Sequence, residues 1–480
     1  MGAAHADSSM RHPRLLLGAA LTPLLLMQGA HAYTLEQFWH QAFSHDPRIQ
    51  VYRRQLEVAS TAQPLALAAL LPQITAGANV QFATEYTQEP YNSVQPDTAL
   101  LEENSRTRTE SWSVQLQQAL FNWSALQDYQ ASGDQVAAAA ATYQEAMQNL
   151  ENQATAAYVQ WLLADANVRS LQEAEQGFAR QALTAKARYQ AGTTGILGAD
   201  EAQVALRQIQ AQLADARAQW QVARQKLQQF TGTPAPDRAP TLPQKIRLSW
   251  STLTLWKAAA TQHNPALAAA NDQLAAAQKS VSAAWGGFLP SISLVLAHQW
   301  QSQHGTLGYR LGSLSADNLP NPYRNTESSA MVELSWSIFS GGSQQATLHK
   351  ARYQQEENFQ LLLATERSVE KQLGADFADL NGARQQSALY RRALLVARHA
   401  SAAAEDGVRV GLVTENNAII DRQNVLTVRN ALNSANAAVV THYASLAATA
   451  GVLTPTRIRQ LSVALSPLRE SSHESSPIKS

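Results

Sequence analysis

The sequence predicts a mainly α-helical chain that carries a transmembrane β-barrel portion, with one structural unit written twice. Three observations predict it. Pro47 in "SHDPRIQ" finds its echo at Pro265 in "QHNPALA", and the same offset of 218 carries Leu71-Pro72 onto Leu289-Pro290 and Phe121 onto Phe339. Proline is absent from Asp97 to Thr233 and from Tyr323 to Thr454, where helix-favouring residues dominate. Four segments alternate apolar and polar residues with the period of a strand.

The first element is a leader. Arg11, His12 and Arg14 precede the apolar run Leu15 to Met27, and Ala30-His31-Ala32 offers a cleavage site. Residues 1–32 therefore read as a secretory signal peptide whose start is Met1 or Met10. No later stretch reaches the roughly 20 apolar residues of a transmembrane helix, so entry of the exported chain into a membrane would be by strands.

The first repeat is expected over 33–232. Its opening helices start at the N-cap Thr34, break at Asp46-Pro47 and resume to Leu70. Strands follow at about 73–86 and 110–122, then long helices at about 124–191 and 198–230 that reverse at Gly192. A Pro-rich linker spans 233–251. The second repeat, 252–451, begins at Thr252, breaks at Asn264-Pro265 and runs to Phe288. Its strands are expected at about 290–302 and 329–339, with Trp336 and Ile338 in the last. Its long helices fall at about 342–410 and 415–450, reversing at Gly411. Residues 452–480 read as a flexible tail.

The long helices have a coiled-coil seam. Tyr143, Met147, Leu150, Ala154, Ala157, Trp161, Ala164, Val168 and Leu171 step by alternating four and three residues. At 1.5 Å per residue such a rod is roughly 100 Å long.

The strands have two kinds of side. Ile74, Ala76, Ala78, Val80 and Phe82 alternate with Thr75, Gly77, Asn79 and Gln81, as lipid outside and water inside require. Phe82, Trp112, Phe121, Trp123, Trp300, Trp336 and Phe339 stand where the aromatic girdles of a membrane interface belong. Four strands cannot close a lumen and open edges are forbidden in lipid, so the chain must share its barrel with copies of itself.

Composition excludes other classes. Lysine plus arginine equals aspartate plus glutamate at 37 each, which gives no electrostatic footprint for nucleic acid. Cysteine is absent, which removes disulfides, thiol catalysis, cysteine zinc sites and a lipid-bearing cysteine. No nucleotide-cradling, zinc-protease or serine-hydrolase motif occurs, so no catalytic residue, cofactor or metal site is expected. His40 and His45 are off one helical face, and Gly341-Gly342 reads as a strand-to-helix corner. Glu102-Glu103 is expected in a polar loop between strands.

The two-copy layout, "DP" and "NP" helix breaks, "LPQI" and "LPSI" before strands, "LFNWS" and "IFSGGS" after them, and the two glycine turns resemble the TolC family of outer-membrane export channels. The resemblance covers about residues 33–452. It implies a homotrimer with a twelve-stranded barrel, four strands per chain, on an α-helical tunnel through the periplasm of a Gram-negative bacterium. It also implies a passive duct for type I secretion or multidrug efflux, served by a periplasmic adaptor and an inner-membrane ABC or RND-type transporter and seated in outer-membrane lipid. Lack of a cysteine after the leader looks like the unlipidated branch. Acids converging at the helix tips constrict such channels, and the positional matches are Asp200, Asp421 and Glu415. Their spacing from the turn glycines departs from the family's by about a residue, and the family's arginine and tyrosine links have no match. The alternative from another class is a periplasmic coiled-coil adaptor or scaffold that spans no membrane.

Overall fold

The computed structural model describes residues 33–91, 99–193, 195–248 and 251–466. The leader and the alternative start codons lie outside the described residues. In chain order the first unit comprises α1 (Leu35–His45), α2 (Pro47–Ser60), α3 (Ala62–Ala68), β1 (Gln73–Tyr91), β2 (Ala99–Phe121), α4 (Trp123–Gln190) and α5 (Ile196–Thr231). The second comprises α6 (Leu253–His263), α7 (Pro265–Gly286), β3 (Ser291–Leu311), β4 (Leu314–Pro320), β5 (Tyr323–Ser335), α8 (Ser343–Arg409) and α9 (Glu415–Thr449). A last helix, α10 (Pro455–Leu465), follows.

Local chemistry explains the helix starts. Thr34 and Gln37 form a capping box on α1, while Thr252 occupies the corresponding position on α6 without a side-chain cap. Asp46 and Asn264 each cap a helix whose first residue is proline, where a missing N–H costs nothing. The Asp46 carboxylate also holds Arg48 at 2.7 Å, and the Asn264 amide donates to the Thr449 carbonyl at 2.7 Å. Arg48 in turn donates to Gln153 of α4 at 3.3 Å, so each break is tied to the body of the molecule. The expectation of one continuous helix to Leu70 fails in the first unit: α2 and α3 part at Thr61. Pro64 is the cause, because its ring displaces the carbonyl four residues back and leaves no donor for it. The second unit has no proline there, and α7 runs unbroken.

The strands are longer than their alternation showed, and Glu102 and Glu103 lie within β2 rather than in a loop. The fourth barrel strand is divided into collinear pieces. β4 pairs with the distal part of β3 and β5 with the proximal part, with Asn318 at φ 59° near the irregularity. Conversely, β5 ends at Ser335, so Trp336 and Ile338 are not in a strand. Their would-be partner strand starts only at Ser291, after Pro290, which has no N–H to donate.

The helices enclose two cores. The larger joins Phe38 of α1, Tyr158 and Trp161 of α4, Phe230 of α5, Trp256 of α6, Leu380 of α8, Val440 and Leu446 of α9, and Leu461 of α10. Phe38 stacks on Tyr158, whose hydroxyl donates to the Tyr33 carbonyl at 2.6 Å. Ile458, Leu461 and Leu465 bury α10 in this core, so the expected flexible tail is corrected up to Leu465; residues 467–480 are outside the described residues. The second core, nearer the glycine turns, gathers Phe178 and Ala182 of α4, Ile209 and Leu213 of α5, and Ile419 and Leu426 of α9. Ala276, Ala277, Ala283 and Gly286 let α7 approach α4 closely enough for Ser124 to donate to the Ala283 carbonyl at 2.8 Å.

Candidate functional site: a two-faced sheet and a fastened helical tip

The sheet runs β1-β2-β3, with β4 and β5 sharing the far side of β3, all antiparallel. Residues directly opposite in such a ladder share a face. One face therefore collects the row Ile74, Leu116, Leu296, Ala330, then Ala76, Val114, His298, Ser328, then Ala78, Trp112, Trp300, Thr326. The other collects Thr75, Gln115, Ala297, Ser329, then Gly77, Ser113, Gln299, Glu327, then Asn79, Ser111, Gln301, Asn325. The first side is largely apolar, with His298, Ser328 and Thr326 its polar members, and the second is largely hydrophilic.

The aromatics fall at two levels. Phe121 ends β2, Trp123 starts α4, and Trp336 and Phe339 lie between β5 and α8, all beside the helices. Trp336 donates its indole N–H to the Phe288 carbonyl at 3.1 Å. Trp112 and Trp300 face each other higher on the sheet, and Phe82 lies beyond them under the Arg108 guanidinium at 5.7 Å. From Trp112 to Phe121 the strand rises ~30 Å at 3.3 Å per residue. Tilted by about 40°, it spans ~23 Å of height, close to the ~25 Å apolar band of an outer-membrane barrel.

At the far end of the helices two glycines reverse the chain, Gly192 at φ 71° and Gly411 at φ 77°, a region costly for other residues. Here the two units are fastened together. Glu415, at the start of α9 where the helix dipole favours an acid, accepts from Gln181 at 2.9 Å and from Arg188 at 3.3 Å, both on α4. Arg422 of α9 reaches Gln181 at 3.4 Å, pairs with Glu405 of α8, and lies over the Phe178 ring at 5.8 Å. One turn-pair further, Arg429 meets Glu173 at 2.5 Å, and this pairing holds the Glu173 carboxyl below its ordinary value. A cleft of 230 Å³ lies among these side chains.

Of the three acids expected at the tip, Glu415 is engaged within its own chain, Asp200 is exposed on α5 and Asp421 is half-buried on α9. Among the described residues no hydrogen bond or ion pair joins the three. Gln181, Arg188, Arg422 and Glu405 escaped the sequence reading; only their polarity beside a turn glycine marked them.

The sequence model of the family described as "Outer membrane efflux protein" matches residues 39–233 and 256–452. The chain is 26% identical over 450 residues to the alkaline protease secretion protein AprF of Pseudomonas aeruginosa, covering 91% of this chain and 88% of that one. It is 25% identical over 404 residues to the outer membrane protein TolC of Vibrio cholerae, covering 83% and 86%. The fold is also similar to the crystal structure of CusC, with TM-score 0.71 and 17% identity over 88% of this chain and 92% of that one. It resembles the outer membrane protein VceC of Vibrio cholerae likewise, with TM-score 0.70 and 17% identity over 87% and 96%.

Proposed function

The chain belongs to the outer membrane efflux protein family and is an outer-membrane channel of an export system; we propose that it works as a homotrimer whose three four-stranded sheets close one barrel. The observation that carries this is the pair of open edges. Among the described residues β1 on one side and β4 with β5 on the other have no further strand partner, while one face between them is largely apolar. Hydrocarbon offers nothing to unpaired N–H and C=O groups, so the edges must meet those of neighbouring copies. The helices are open in the same way: Val51, Val58 and Leu65 are exposed on α2 and α3, and Tyr353, Phe359 and Leu361 on α8.

In this reading the apolar face meets lipid, the two aromatic levels sit at its interfaces, and the hydrophilic face lines water. The α-helical portion extends into the periplasm, and its tips meet a periplasmic adaptor joined to an inner-membrane transporter that supplies the energy. Of the two export classes, protein secretion is favoured by the likeness to a protease secretion protein along nearly the whole chain. The two-faced sheet and family membership displace the alternative of an adaptor that spans no membrane.

Native mass spectrometry of the detergent-extracted protein tests the assembly, with the mass of three chains expected; a stable monomer that fails to insert into vesicles would overturn it. Deleting the gene tests the cargo class: loss of a secreted protein with unchanged drug susceptibility is expected, and the reverse pattern would assign efflux instead.

A further inference from the structure

The arginines of the sheet all lie on one face, which they share with Glu102 and Glu110. Among the described strands there is no lysine, and all four arginines, Arg106, Arg108, Arg310 and Arg324, share the face that carries Ile74, Leu116 and Trp112. Glu85, Glu89, Glu103, Glu327 and Glu333 occupy the opposite face. Every arginine of the described strands thus stands on the apolar side.

The arginines are also confined in height. All lie beyond the Trp112–Trp300 row, on the side away from the helices. Arg324 falls in the next row with Val80, Glu110 and Ser302; Arg108 follows with Phe82 and His304, then Arg106 with Thr84 and Thr306. Arg106, Arg108, His304 and Arg324 are exposed. Three acids face this group: Glu110 pairs with Arg108 at 2.5 Å, Glu102 reaches Arg310 at 3.8 Å, and Asp317 lies beside Gly308. Among the described residues Arg106 and Arg324 have no carboxylate partner. The band is therefore positive, and it begins where the apolar surface ends.

We propose that this band binds the phosphate groups of a phosphorylated glycolipid in the outer leaflet. The inference rests on the reading that the apolar face meets lipid. With the helices in the periplasm, the Trp112–Trp300 row marks the outer boundary of the hydrocarbon, and Arg324, Arg108 and Arg106 stand one, two and three rows above it, at headgroup depth, with Arg310 two rows further. Guanidinium groups present paired donors that match phosphate oxygens, which accounts for arginine here without lysine. Basic side chains at a membrane surface draw anionic headgroups. Phe82, its apolar ring under the Arg108 cation, sets an apolar surface beside a positive charge at the sugar–acyl junction.

The test uses the full trimer in detergent, titrated with diphosphoryl lipid A, with the dephosphorylated glycolipid and with inorganic phosphate, and read by native mass spectrometry. The triple variant R106Q/R108Q/R324Q is expected to need at least about tenfold more diphosphoryl lipid A for half-occupancy. Glu110→Gln, which removes the opposing charge, should need less than the unmodified protein. Equal half-occupancy for triple variant and parent, or equal binding of the dephosphorylated lipid, would overturn the proposal. Displacement of the lipid by millimolar phosphate with the same arginine dependence would overturn it in favour of a free-anion site. Should the triple variant not assemble, Arg324→Gln alone is read against the same criteria. Insertion of the unmodified protein into phosphatidylcholine vesicles is measured first; failure there removes the membrane reading itself, before any lipid is added.

Discussion

Arg188, in the last turn of α4, reaches Glu415, the first residue of α9, at 3.3 Å, and so ties the tip of the first repeat to the tip of the second. Gln181 binds the other carboxylate oxygen and passes the link to Arg422. Such partly exposed contacts contribute only about 0.5–1 kcal/mol each, enough to hold a shape and little enough to release. Glu415→Ala should leave the assembly folded while loosening the tip. Single-channel conductance in planar bilayers is expected to rise severalfold, and unchanged conductance would mean that this fastening does not narrow the passage.

Asp421 and Asp200 remain the candidates for an acidic constriction formed between copies. Carboxylates converging in a narrow pore favour cations and let multivalent ions plug it. Asp421→Ala should weaken cation selectivity and divalent block in the same bilayer recordings. Selectivity indistinguishable from the parent would remove the assignment, and Asp200→Ala gives the independent check.

Glu151 is buried in the larger core, and desolvation pushes its carboxyl up to about 8. The folded chain thus holds a proton that the unfolded chain releases near 4.5, so native protein binds the more protons between those values. Stability should then fall as pH rises from about 4.5 to about 8, by up to about 5 kcal/mol at 1.36 kcal/mol per unit. Thermal melts of the helical signal should show a lower transition at pH 8 than at pH 6, and Glu151→Gln should flatten that difference. A parent protein with no such slope would show that a counter-charge reaches Glu151 in the assembly.

Gly451 and Gly192 share a left-handed backbone but not a neighbourhood. A Cβ at Gly192 meets nothing, whereas at Gly451 it would land on the His263 carbonyl at the α6–α7 junction. Gly192→Ala should cost about 1 kcal/mol, from backbone strain alone. Gly451→Ala adds a steric clash with backbone and should cost ~2–4 kcal/mol. Comparison of the two melting temperatures checks the order.

The repeat, the rods and the glycine turns were legible because each rests on a local rule repeated at an offset of 218. What stayed hidden follows from physics that sequence periodicity does not carry. β1 continues to Tyr91 and β3 to Leu311 although the apolar–polar alternation has stopped, because ladder hydrogen bonds join backbone groups whatever side chains they carry. Trp336 and Ile338 kept the alternation after their ladder partner had ended. α10 was readable in principle, from the Thr454-Pro455 cap and the spacing of Ile458, Leu461 and Leu465. Arg188 and Glu415 could not be joined by reading, since they come from different repeats and meet only once the rods lie side by side.

Pro64 has a further effect at the scale of the assembly. Because it parts α2 from α3 in the first repeat while α7 runs unbroken in the second, the proposed ring of three chains would have six staves of two kinds, interrupted and continuous in turn. The wall is then only nearly sixfold, with two unlike seams alternating around it. A collar of six identical subunits gripping that wall would have to seat each neighbouring pair differently, so its members could not be equivalent once bound.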